Sequence, residues 1–88
     1  MTTKFQGALI KEQGIRFGIA IVKPYVLDNR GEAARIATSF GSVFGPIPIV
    51  LMAQDTSGRP TYFGRPDIVR FLSRVPASAI PWREYSIA

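Results

Sequence analysis

The chain has 88 residues, with eleven basic side chains against six acidic ones for a net charge of +5. That length makes one domain, residues 1–88, with a single core and a thin stability margin, and an apolar content of 47% excludes a disordered chain. Cysteine and histidine are both absent, which excludes disulfides, thiolate or imidazole metal sites, cysteine nucleophiles and histidine acid–base chemistry.

The first elements are two arms of a hairpin, Phe5 to Lys11 and Ile15 to Lys23, around a Gln13-Gly14 turn in which glycine supplies a positive φ. A two-residue loop pairs Glu12 with Ile15, Ile10 with Phe17 and Ala8 with Ile19. Ala8, Ile10, Phe17, Ile19 and Ile21 then share one side, which is the expected core. The other side carries Phe5, Gly7, Leu9, Gly18, Ala20 and Val22. It is also apolar, and two glycines and an alanine make it flat. A sheet that is apolar on both faces must cover both.

Asp28 or Asn29 is the expected N-cap of a first helix, with Glu32 placed as in a capping box after Asn29. Ala33, Ile36, Ala37, Phe40 and Phe44 fall on one stripe facing the core. Gly41 weakens this helix and Gly45-Pro46 ends it. Ile49 to Gln54 reads as a buried strand, and Asp55-Thr56-Ser57-Gly58 as a polar turn. Thr61 to Phe63 reads as a short return strand, with Pro60 arguing against a central position. Gly64-Arg65-Pro66-Asp67 opens a second helix with a stripe of Ile68, Phe71, Leu72 and Val75, stopped by Pro76. Ile80 to Ile87 is the last strand, with Pro81 near its start.

The order ββαββαβ predicts an α+β fold: a two-layer sandwich, one mixed sheet with two helices on one face. The layout resembles that of β-grasp domains, which the tight Gln13-Gly14 hairpin favours. A ferredoxin-like plan with an extra N-terminal strand is the alternative, favoured by the full stripe of the second helix. The likeness is one of element order alone.

Of the acids, Asp28, Glu32 and Asp67 sit at helix starts and Glu12 and Asp55 in turns, leaving Glu84 without an obvious structural task. Nothing in their spacing pairs two of them for catalysis, and the Asp55 turn has too few acids for a calcium loop. No catalytic residue, metal ligand, cofactor site or cofactor is expected, and the chain is not expected to be an enzyme. Two binding surfaces remain. The flat face of Phe5, Gly7, Leu9, Gly18, Ala20 and Val22 has no cover if both helices lie on the other side, so a homodimer or higher oligomer through the sheet is the first expectation. The second is a nucleic acid or other polyanion bound by Arg59 beside loop N–H groups, by Arg65, Arg70 and Arg74 along the second helix, and by Trp82 as a stacking platform. Tyr62, Phe63 and Tyr85 are further candidates for stacking.

The basic residues are scattered from Lys4 to Arg83 with no run of like charge. Such a balance favours polyanions, or simply keeps a surface soluble. The opening Met1 to Phe5 lacks the apolar stretch of a secretory leader. The runs Ile19 to Val22 and Ile47 to Ala53 are too short to span a bilayer. A cytoplasmic protein without membrane contact is the expectation.

Overall fold

A computed structural model describes residues 3–12 and 14–87. The strands are β1 (Thr3–Glu12), β2 (Ile15–Ile21), β3 (Ile49–Gln54), β4 (Pro60–Phe63) and β5 (Arg83–Ile87). The helices are α1 (Arg30–Ser39), α2 (Gly41–Phe44) and α3 (Pro66–Leu72). One mixed sheet holds all five strands in the order β4-β3-β2-β1-β5, so the chain is a small α+β domain. Among the described residues, no helix is long and apolar enough to cross a membrane.

The hairpin has the expected register: Glu12 faces Ile15, Ile10 faces Phe17 and Ala8 faces Ile19. Gly14 has φ +79°, the left-handed backbone that the turn requires; Gln13 lies outside the described residues. β2 and β3 run parallel, which demands a long crossover, and α1 and α2 provide it. The Asn29 side chain accepts a hydrogen bond from the Glu32 N–H at 3.0 Å, as an N-cap should. The Glu32 carboxylate does not reach back to complete a capping box; it pairs with Arg35. The helix breaks at Phe40 before Gly41, and Gly45 at φ +88° ends it ahead of Pro46. A 3-10 turn at Pro24–Asp28, which the sequence did not announce, buries Val26 against the sheet.

The helices do not share a face, and this corrects the two-layer expectation. Ala8, Phe17, Ile19, Val50 and Met52 form one core with Ile68 and Leu72 of α3. Ala20 and Leu51, their neighbours along the same strands, form a second core with Ala33 and Phe40 of α1 and its C-cap. Successive strand residues point to opposite sides, so α1 and α2 cover one face and α3 the other. Neither the β-grasp-like nor the ferredoxin-like two-layer layout describes this arrangement. Connectivity supplies the reason. β4 and β5 lie at opposite edges of the sheet, so the chain between them must cross it. One face is already occupied by the β2–β3 crossover, and α3 takes the other.

Two element ends also differ from expectation. α3 stops at Leu72, because Arg74 and Val75 donate to the carbonyls of Phe71 and Leu72 at 3.1 and 3.0 Å, tightening the last turn ahead of Pro76. β5 starts at Arg83 and not at Ile80. Ile80 is buried in the α3 core, and Trp82 N–H donates to the Ile80 carbonyl at 2.8 Å in a tight turn across Pro81.

Candidate functional site

The flat face expected to need a neighbour is covered by the chain itself. The Phe44 ring lies directly on the glycines: a Cβ on Gly18 would sit 2.8 Å from that ring, and one on Gly7 would sit 2.7 Å from the Ile19 carbonyl oxygen. No larger residue fits at either position without displacing α2 or a strand. Phe5 packs 4.6 Å from Phe40 and 5.7 Å from Tyr85 between ring centroids. Ala20 is fully buried and Val22 is half-buried against the same cluster. The apolar, low-relief surface is the seat of α1 and α2, and the uncovered face that suggested a dimer does not exist. Leu9 alone of the six stays outside, 49% exposed.

The basic candidates are also dispersed. Arg59 lies beside Asp55, whose Oδ1 accepts from the Ser57 N–H, the Ser57 hydroxyl and the Arg59 N–H at 2.9, 2.6 and 2.9 Å. The Ser57 hydroxyl and these N–H groups hold the Asp55 carboxyl below its ordinary range. The loop N–H groups proposed for an anion are thus already spent on Asp55. Arg65 binds Asp67 through two hydrogen bonds of 3.0 and 2.6 Å, which lowers the Asp67 pKa and raises that of Arg65. Trp82 is half-buried against the α3 core and donates its indole N–H to the Ala77 carbonyl at 2.9 Å, so its ring serves packing. Tyr85 packs on Phe44 with centroids 5.0 Å apart, and Glu84 pairs with Lys4 at 3.5 Å. The Tyr62 hydroxyl is buried without a partner among the described residues, and burial pushes its pKa up. Arg70 on α3 and Arg74 just beyond it are exposed; among the described residues neither has a carboxylate within 4.0 Å.

One feature the sequence reading missed is the unequal pairing of β1. The strand runs for ten residues, but β5 pairs only with Thr3 to Gly7. Strand alternation identifies the groups left over. The Gly18 and Val22 N–H groups donate to β3 carbonyls, at Pro48 and Met52, so even-numbered residues of β2 face β3. Phe17 and Ile19 then face β1, where they meet Ile10 and Ala8. The odd residues of β1 therefore turn their N–H and C=O groups the other way. Those of Phe5 and Gly7 meet β5, while Leu9 and Lys11 face outward past its end. Among the described residues, no loop or side chain hydrogen-bonds to them.

Beside this open edge runs a groove of about 350 Å³, lined by Leu9, Ile10 and Lys11 of β1 and by Phe71, Val75 and Ile80 from the α3 side. The sequence carried one signal for it. Pro81 has no N–H and cannot pair within a central ladder, so a strand starting after it leaves too few residues to match β1. Comparison with protein-family models, with curated proteins and with solved structures gave no match.

Proposed function

We propose that this domain is a non-catalytic binding module that takes an extended segment of another chain along the open half of β1. The observation that carries this reading is the outward pair of backbone positions at Leu9 and Lys11, next to an exposed leucine and an apolar groove. Unpaired strand edges are templates for strand addition: main-chain hydrogen bonds supply affinity, and pockets for alternate side chains supply selectivity. Natural sheets usually guard such an edge with a bulge, a proline or a covering loop. The carboxylates have structural partners that account for most of them. Glu32, Asp55, Asp67 and Glu84 are each paired with a basic side chain.

A test is selection of ten-residue linear peptides on the native chain, followed by titration of the winners against Leu9→Pro. That change removes an outward N–H and no β1–β2 hydrogen bond, and its melting curve must match the native one. The expected result is loss of binding in the variant. Peptides that bind the variant as tightly as the native chain, or a selection with no winners, would refute the reading.

A second reading, polyanion binding, is favoured by the exposed Arg70 and Arg74, which have no carboxylate within 4.0 Å among the described residues. It predicts oligonucleotide affinity that falls steeply with salt and drops in the Arg70→Glu, Arg74→Glu double variant. An unchanged affinity in that variant would dismiss this surface.

A further inference from the structure

We infer that the occupant of the open edge is an acidic extended segment, alternating apolar residues on one side with carboxylates on the other; this rests on the edge reading above. A strand laid beside Ala8–Glu12 has its side chains divided between the two faces of the sheet. On the α3 face it meets the groove, where Ile10, Phe71, Leu72, Val75 and Ile80 offer apolar walls, with the Glu12 carboxylate at one end. Alternate residues pointing there must be apolar.

On the opposite face it meets a different surface. Lys11 pairs with Arg16 across β1 and β2, and Arg83 pairs with Gly7 at the start of β5. Cross-strand partners share a face, so all three basic side chains lie on the Leu9 side. All are exposed, and among the described residues none has a carboxylate within 4.0 Å. Arg83 ends the lane the guest would occupy, Lys11 lies alongside it, and Arg16 stands one strand further, roughly 10 Å away at a strand spacing of about 4.8 Å. That distance is comparable to the Debye length at physiological ionic strength, about 8 Å. Three positive charges around one exposed leucine select carboxylates at the alternate positions.

The same charges argue against a second copy of this chain. Two β1 edges paired antiparallel about a two-fold axis at Ile10 set Lys11 of each copy opposite Leu9 of the other, with the two lysines on one face about 8 Å apart and an Arg16 one strand behind each, so positive charge gathers across the seam and repels. An excess of +5 over the whole domain adds to that repulsion.

The experiment compares three synthetic peptides of one apolar pattern, with Glu, Gln or Lys at the alternate positions. Each is titrated into the native chain and into the Lys11→Glu, Arg16→Glu double variant. The Glu peptide should bind the native chain at least about tenfold more tightly than the Gln peptide, a difference of ~1.4 kcal/mol. Its affinity should weaken as salt rises, and the preference should invert toward the Lys peptide in the double variant. Equal binding of the Glu and Gln peptides, both abolished by Leu9→Pro, would overturn the acidic partner while leaving the edge reading standing. Failure of all three peptides would sink both. Sedimentation showing that a second copy fills the edge would overturn the acidic partner as well.

Discussion

From Thr3 to Gly7, β1 pairs with β5, β2 joins it on the other side at Gly7, and Phe44 lies across Gly7 and Gly18. From Ala8 to Glu12 the same strand keeps β2 on one side but has a groove on the other, with Leu9 in the open. The enclosed half shows what folding needs. Small residues let aromatic rings approach the backbone, and each outward N–H finds a carbonyl. The open half retains polar backbone and an apolar side chain that folding has not used, which is how a binding edge differs from a finished one.

Substitutions in the enclosed half should be severe. Gly18→Glu drives a carboxylate into the Phe44 ring, at a cost of about 3 kcal/mol or more, enough to unfold a domain of marginal stability. A circular-dichroism melt should show little or no folded protein, and a native-like melt would mean that α2 does not sit where it is described. Phe40→Ala removes a buried ring that packs against Phe5; denaturant titration should read a loss of about 3–5 kcal/mol.

The open half should respond oppositely. Leu9→Lys should change stability by no more than about 0.5 kcal/mol while abolishing peptide binding, because an added lysine is how natural edges are guarded. A large loss of stability would show that Leu9 is part of the core and that the two halves are alike. The smallest effect concerns the exposed Asp67–Arg65 pair, remote from the contrast. Asp67 has a lowered folded pKa, chiefly from its hydrogen bonds to Arg65. Its contribution to stability is therefore present above the ordinary carboxylate range near pH ~4 and is lost as pH falls through the folded value. Asp67→Asn should flatten the fall in melting temperature between about pH 4 and pH 2; an identical profile would show that the pair contributes nothing.

Local chemistry was legible in the sequence. The hairpin register followed from the turn and the alternation, the Asn29 cap from its position before an apolar stripe, and the end of the crossover from Gly45-Pro46. Placement between elements was not. Both hairpin faces are apolar, so the pattern required cover on both sides without saying which helix supplied it. The flat face was read as a surface for a neighbour, when its glycines mark the close approach of Phe44. The helix face attributed to Arg65, Arg70 and Arg74 dissolved because Asp67 takes Arg65 and the helix ends before Arg74. Leu9 was grouped with residues that a neighbour would cover, and it alone of the six stays exposed. Its exposure depends on where β5 ends, and that is decided by Pro81 and by the burial of Ile80, far away in the chain.

Amide hydrogen exchange along β1, free and with the Glu-alternating peptide bound, is the most direct test. In the free protein the N–H groups of Phe5 and Gly7 should exchange slowly and those of Leu9 and Lys11 quickly, and the peptide should slow the latter pair. Leu9 and Lys11 amides already protected in the free chain, or still unprotected when the peptide is bound, would contradict the account.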